Sequence, residues 1–323
     1  MAGGSPSDPA SAPRRSPVRL VPVDERGDGQ RVDNFVLREC PDVPKTRIYR
    51  ALRKGEIRVN GGRVKPPHRL VLGDEVRLPP LSAPEPRPTG TAPPGWQARL
   101  ADSIVHEDEQ LLVLNKPSGL AVHGGSGLQF GLIETLRSMR PQDRFLELVH
   151  RLDRETSGLI LVARKPAALR ALHELLRGEK GVDKRYVALV AGRWPRHQRL
   201  VEAPLQRIER RSGERVVRVH KDGKASRTEF SVRSAYQGCT LVEARPLTGR
   251  THQIRVHAAH VGHPLLGDEK YADDAARARA EELGLRRLFL HAERLRFTLG
   301  ERRYDLSAPL DEELITILDK AAK

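Results

Sequence analysis

Residues 150–158 read His-Arg-Leu-Asp-Arg-Glu-Thr-Ser-Gly, and apolar runs stand on both sides. Phe145, Leu146, Leu148 and Val149 precede the stretch, and Leu159, Ile160, Leu161, Val162 and Ala163 follow it. Each run is short, and the second is aliphatic and β-branched, so each predicts a buried strand. The polar segment between them then forms a turn, closed by Gly158, that presents Asp153 at a strand end instead of packing it in a core. Arg151 and Arg154 flank that carboxylate and favour its ionised form. An acid kept as an anion in a basic setting suits a nucleophile or an electrostatic stabiliser better than a general acid. The same residues also fit an aspartate that caps a turn or makes a structural ion pair.

Outward from this stretch, the region from about Leu100 to Lys323 alternates short strands with few helices. Strands are expected at Ile104–His106, Leu111–Asn115, Lys184–Val190, Ser226–Ala235, Thr240–Pro246, Leu288–Leu290 and Leu295–Phe297. Helices are expected at Pro166–Glu179, with proline in the first turn, at Thr251–Val261 and at Asp311–Lys320. Lys116-Pro-Ser-Gly119 reads as a turn and Gly124-Gly-Ser-Gly127 as a loop that lacks the spacing and lysine of a phosphate-binding loop. Strands joined by short hairpin links argue for an α+β domain with a mixed, largely antiparallel sheet.

A smaller unit precedes it, from about residue 18 to 80. Lys45–Lys54 reads as a helix ended by Gly55, with Ile48 and Leu52 facing inward. Arg47, Arg50 and Lys54 fall three and four residues apart and form a second, cationic face. Ile57–Val64 alternates about Asn60-Gly61, a hairpin signal, and Gly73–Leu78 returns as a strand. A basic helix beside a basic hairpin suits an RNA backbone, although a charged helix face is more often only solvated. Between the units, residues 81–98 are rich in proline and read as an extended, semi-stiff linker. Residues 1–17, rich in Pro, Ser, Ala and Gly, read as a disordered tail without the apolar core of a secretory signal.

Composition points the same way. The 323 residues carry 57 Lys+Arg against 42 Asp+Glu, a net charge of +15. That charge argues for a polyanionic partner, since Lys and Arg release counterions from phosphates. Most of it is arginine, whose forked donors suit phosphates and base edges, although a genomic base bias enriches arginine too. Aromatics make up only 4%, which disfavours a base-stacking platform. Two cysteines, Cys40 and Cys239, form no disulfide framework or thiolate metal site, and a reducing, cytoplasmic compartment follows. No segment has the apolar length to span a membrane.

His150-Arg-Leu-Asp153 followed by Thr156-Ser-Gly-Leu159 resembles the active-site signature of the RluA-type pseudouridine synthases. The resemblance runs from about Gln30 to Leu318. In the first unit, Arg31-Val-Asp-Asn-Phe35 and Gly55–Gly61 resemble the S4 RNA-binding domain. What the resemblance implies is isomerisation of uridine to pseudouridine at defined sites in RNA, the large-subunit (23S) ribosomal RNA or its assembly particle above all. It places the essential carboxylate on Asp153. It places a base-stacking tyrosine that accepts the C5 proton on Tyr186, in Lys184-Arg-Tyr186. Within Gly249–His257 it assigns the basic partner of the aspartate to Arg255, with Arg250 as the alternative or as a phosphate ligand. Leu290 becomes the apolar residue beneath the base, and Arg151 the cation that enters the RNA stack as the target leaves it. A monomer is expected. The reaction oxidises nothing and releases nothing, so no cofactor or metal is expected.

Three other readings stand beside this one. Without the resemblance, Tyr186 is equally a tyrosine on a half-buried strand. His252, His257, His260 and His263 invite a metal, but their spacing fits no zinc motif. A glycoside hydrolase needs a second carboxylate, for which Asp268 and Glu269 are available. An S4-type protein that only binds RNA would be free to lose Asp153, Tyr186 or Arg255, and all three are present.

Overall fold

A computed structural model describes residues 17–40, 43–81, 94–124, 130–178, 181–209 and 215–323. The tail at 1–16, residues 82–93 of the proline-rich segment and residues 125–127 of the glycine loop lie outside them. The chain divides into two compact units, Met1–Gly90 and Thr91–Lys323.

The first unit runs β1 (Arg19–Pro22), α1 (Val32–Glu39), α2 (Lys45–Lys54), β2 (Arg58–Val59), β3 (Gly62–Arg63) and β4 (Glu75–Leu78). Its antiparallel sheet has the order β1-β4-β2-β3. Helix α2 stops where the sequence requires, because Gly55 takes a left-handed conformation and its N–H returns to the last carbonyls. Ile48 and Leu52 are buried with Phe35, Ile57 and Val76. Asn60 and Gly61 both have positive φ, as the tight β2–β3 hairpin demands. Asp33 is buried and ties the helices together, accepting from Arg31 at 2.6 and 3.0 Å and from the Tyr49 hydroxyl at 2.8 Å.

The second unit opens with α3 (Pro94–Ala101), so the end of the segment read as linker is helical. Proline at a helix start loses no hydrogen bond, which is why Pro94 begins this element. There follow β5 (Ile104–Glu107), β6 (Leu111–Lys116), α4 (Leu132–Met139), β7 (Glu147–Leu148), β8 (Ser157–Ala163), α5 (Pro166–Arg177) and β9 (Val182–Ala191). Then come β10 (Leu200–Glu202), β11 (Leu205–Glu209), β12 (Arg215–Val219), β13 (Arg227–Tyr236), β14 (Cys239–Pro246), α6 (Gln253–His260) and α7 (Asp274–Leu283). The unit closes with β15 (Leu290–Leu299), β16 (Arg302–Ser307) and α8 (Glu312–Ala321). The main sheet has the order β10-β13-β14-β9-β15-β8-β6-β5, with β16 on β15 and β7 on β8; β11 and β12 form a separate hairpin. The β8–β15 pair is parallel and the other pairs are antiparallel, which is the mixed, largely antiparallel sheet of an α+β domain.

Strand β8 reads as an unbroken apolar run because both its faces are covered. Leu159 and Leu161 pack with Ala168 and Leu172 of α5, while Ile160 and Val162 pack with Leu132, Ile133 and Leu136 of α4. The preceding run delivers only two strand residues, β7, before the chain leaves the sheet for the loop that carries Asp153. Gly158 does not close that turn. It lies inside β8 with φ +106°, and a Cβ there would stand 2.4 Å from the Ala292 carbonyl oxygen. Glycine is needed for the close approach of β8 to β15. The two strands expected near 288–297 are one, β15, with a bulge between Ala292 and Arg294. His291 breaks the apolar pattern there, yet it stays buried by bonding Ser157 and the Ala308 carbonyl.

Candidate active site

Residues 151–156 form a loop that neighbouring backbone holds down. Thr156 N–H donates to the Asp153 carbonyl at 3.2 Å, and Gly119 N–H to the Arg154 carbonyl at 2.9 Å. The Ser118 hydroxyl donates to the Glu155 carbonyl at 2.7 Å. Lys116, fully buried, donates to the carbonyls of Pro117, Leu120 and Arg154 at 2.9, 2.9 and 3.0 Å. Burial pulls its pKa down to about 7 against the weaker pull of Glu155 and Asp153.

The groups beside Asp153 come from α6 and the residue before it, not from its neighbours in sequence; Arg255 is a cation, and burial lowers the pKa of His252. Arg255 Nη1 lies 3.3 Å from Asp153 Oδ2, and His252 Nε2 lies 3.7 Å from the same oxygen. Arg154 turns away to the Gly119 carbonyl and Glu155. Arg255 is itself gripped from behind: its Nε and Nη2 each donate to Asp268 at 2.7 Å. Asp268 is fully buried and also accepts from the N–H groups of Lys270 and Tyr271. Burial alone would lower the Arg255 pKa, but the hydrogen bonds to Asp268 and the charges of Asp268 and Asp153 raise it. The Tyr271 ring lies under this guanidinium at 5.1 Å, and its hydroxyl lies 2.6 Å from His252 Nδ1. His252 precedes α6 in a left-handed conformation, φ +53°, which is costly for a non-glycine residue and marks a position fixed by its surroundings.

Asp153 lines a cleft of about 300 Å³ together with Arg151, Tyr186, Arg250, Arg255 and Leu290. The six residues singled out from this unit are therefore brought to one place from the 151–156 loop, β9, the 248–252 loop, α6 and β15. Asp153 is the one carboxylate among the described residues of that lining, where Arg151, Lys184, Arg250 and Arg255 supply positive charge. Tyr186 sits between Ala244 of β14 and Ala292 of β15. Burial, and secondarily the Asp153 charge, raise its pKa and keep it a neutral phenol. His150 is half-buried, its pKa is brought down to about 4 by loss of solvation, and its Nε2 accepts from the Leu161 N–H. Gln253 orders the 248–250 segment: its carbonyl accepts from Thr248 Oγ1 and Arg250 N–H, and its amide donates to the Arg227 carbonyl and Thr228. Arg250 does not touch Asp153, since its Nε donates to the Ala225 carbonyl at 3.2 Å.

Asp268 is a clamp on Arg255 and does not line the cleft, so it stands in no position to act as a second carboxylate. The histidines with described partners take separate ones. His252 meets Asp153 and Tyr271, His257 meets Ser226 and Thr228, and His263 meets the Ala191 carbonyl. The roles of His252, Asp268, Tyr271, Lys116 and Gln253 were not legible beforehand. The spacings from Asp153 to Arg255 and from Arg255 to Asp268 follow no local period, and only the fold closes them. In the first unit, Arg47, Arg50 and Lys54 line a basic cleft of about 720 Å³ with Arg58 and Arg77. Glu56 partly neutralises it, pairing with Arg47 at 2.9 Å and with Lys54 at 4.0 Å.

A carboxylate held between an arginine and a histidine, with a half-buried tyrosine in the same basic cleft, is equipped to act on a sugar–base bond within a polyanion. Comparison with known proteins gives the class. Residues 110–260 match the RNA pseudouridylate synthase family and residues 30–76 match the S4 domain. The chain belongs to the RNA pseudouridylate synthase family and is an RNA pseudouridine synthase, an isomerase, with an S4 domain ahead of its catalytic domain. It is 52% identical over 309 residues to ribosomal large subunit pseudouridine synthase C of Escherichia coli K12, covering 94% of this chain and 96% of that one. The protein of the same name from Haemophilus ducreyi is 51% identical over 310 residues, covering 94% and 95%. The structure of human RNA pseudouridylate synthase domain containing 4 superimposes with a TM-score of 0.58 at 29% identity, over 70% of this chain and 95% of that one. This membership answers the choice between an enzyme and a protein that only binds RNA. Among the described residues no helix is long and apolar enough to cross a membrane.

Proposed function

We propose that this synthase isomerises uridines of large-subunit ribosomal RNA, free or in an assembling particle, with Asp153 as the catalytic carboxylate. The observation that carries the assignment is Asp153 itself, the one carboxylate of the described cleft, held by Arg255 at 3.3 Å and faced by His252. The N1–C1′ bond breaks, the uracil turns, and C5 bonds to C1′; the C5 proton leaves and N1 gains one. Arg255 and His252, both against Oδ2, hold the Asp153 carboxylate in place for its encounter with the sugar. Tyr186 and Leu290 form the walls between which the detached base is kept. Tyr186 lines the cleft with Asp153 and is the group assigned to receive the C5 proton, with the Asp153 carboxylate as the alternative acceptor. Arg151, exposed at the cleft, fills the stack vacated by the target uridine. Arg250 binds phosphate. Arg47, Arg50 and Lys54 hold RNA backbone from the S4 domain. The enzyme works as a monomer in the cytoplasm and needs no cofactor, because the reaction is redox-neutral.

The test is to map pseudouridines in ribosomal RNA from cells with and without this protein, and to measure tritium release from C5-labelled ribosomal RNA. Sites lost in the deletion should return with the parent gene and not with Asp153→Asn. A deletion that loses no large-subunit pseudouridine overturns the substrate; an Asp153→Asn protein that keeps substantial tritium release overturns the mechanism.

A further inference from the structure

A second cavity, of about 380 Å³, opens beside the active-site cleft and shares Gly249, Arg250 and Thr251 with it. The β11–β12 hairpin and the 222–224 turn build its other walls. Leu205 and Val217 supply an apolar floor, and Arg207, Lys224 and Arg250 supply positive charge against Asp222 alone. The turn is held tightly to β11. Lys224 exchanges both backbone hydrogen bonds with Leu205, and a Cβ on Gly223 would meet the Leu205 backbone at 2.6 Å. Arg207 bonds the Thr251 hydroxyl, which couples the hairpin to the loop dividing the two cavities. Gly249 belongs to the lining of both cavities, and an added Cβ there would meet no atom within 4 Å.

We infer that this second cavity takes the nucleotide adjoining the target uridine in the RNA chain, its phosphate on Arg207 and Lys224 and its base or ribose on the apolar floor. The inference rests on the proposed RNA substrate of the neighbouring cleft. Two cavities that share one short loop can hold consecutive residues of a single strand. Guanidinium and ammonium groups over an apolar floor match a phosphate joined to a planar base. Gln206, in the same lining, accepts from Arg218 at 3.3 Å through its amide oxygen and offers its amide NH2 as a donor towards a base edge. The hairpin therefore gives the enzyme a local sequence preference beside its target, separate from the affinity contributed by the S4 domain.

The experiment couples a charge on the protein to a charge on the RNA. A fragment of large-subunit ribosomal RNA containing a modified uridine is made with each linkage near the target replaced, one at a time, by neutral methylphosphonate. Tritium release is measured for the parent, Lys224→Gln and Arg207→Gln. Lys224 is exposed and holds its turn through backbone groups, so the fold should survive its substitution, and melting checks this. In the parent one neutral linkage next to the target should lower kcat/KM about tenfold, the worth of a charge-assisted hydrogen bond. In Lys224→Gln the same linkage should cost little, while the other linkages cost what they cost the parent. Losses that simply multiply at every linkage overturn the cavity and leave the proposed function standing. A parent that releases no tritium from any ribosomal RNA overturns both.

Discussion

Replacing Asp268 by asparagine probes whether the active-site arginine is set by a residue outside the cleft. In the parent, two bonds of 2.7 Å hold Arg255 to Asp268, against one of 3.3 Å to Asp153. Asp268 is fully buried and only 7% of the Arg255 side chain is exposed, so removing one charge strands the other in a dry site. Breaking such a pair costs about 3–5 kcal/mol. The lower end is expected here, because the substituted side chain keeps one oxygen for the Lys270 and Tyr271 N–H groups and Asp153 remains within reach of Arg255. About 3 kcal/mol corresponds to a fall in Tm of about 6–12 °C for a unit of this size. The released guanidinium should swing towards Asp153 and tie up the carboxylate, and a displacement of about 1 Å costs about a hundredfold in rate. The assay pairs thermal melting with single-turnover tritium release well below the melting range. Parent-like melting would mean that Arg255 is held by other groups. A lowered Tm with an unchanged rate per folded molecule would confine Asp268 to stability and refute its positioning role.

Asp153→Asn should do the reverse. Asp268 still holds Arg255, so stability should fall by about 1 kcal/mol or less, and a large drop in Tm with activity falling only in proportion would mark Asp153 as structural. Lys116 gives a pH dependence, because its pKa is lowered to about 7 by burial from an ordinary value of 10.5. The unfolded chain then binds the extra proton between those values, so this group makes stability rise with pH from about 7 to about 10; Lys116→Met should flatten that rise in denaturant unfolding, and an identical profile would contradict it. Changing Arg47, Arg50 and Lys54 together to glutamine should reduce the slope of log affinity against log salt for ribosomal RNA by about two, and an unchanged slope would remove the S4 cleft from binding. Tritium release should survive strong chelators once the RNA is folded, since the isomerisation needs neither electrons nor a Lewis acid; loss restored by one divalent ion, with RNA structure shown intact, would refute this.

Much of the fold was local information. Helix α2 was legible because Gly55 ends it and Ile48 and Leu52 repeat at helical spacing, and the β2–β3 hairpin because Asn60-Gly61 favours positive φ. Strand β8 was legible because five consecutive apolar residues suit an element buried on both faces. The short strands β10 to β12 and helix α7, rich in Ala and charged residues, carried no such signal and owe their form to what they pack against. The purpose of Gly158 was misread for the same reason: its need is the backbone of Ala292, far away in sequence.

For the site, the sequence by itself singled out Asp153, Tyr186, Arg255, Arg151, Arg250 and Leu290, because a short polar motif between apolar strands and its family pattern are properties of the chain in order. It could not say which side chains meet the carboxylate. Proximity in sequence nominated Arg151 and Arg154, but Arg154 turns to the Gly119 carbonyl and Glu155, and the partners came from α6 and the residue before it. Nor could it separate Arg255 from Arg250, or turn Asp268 from a candidate second acid into the clamp on Arg255. Those choices depend on which atoms come within about 3 Å when strands distant in sequence pair, and only the tertiary structure decides that.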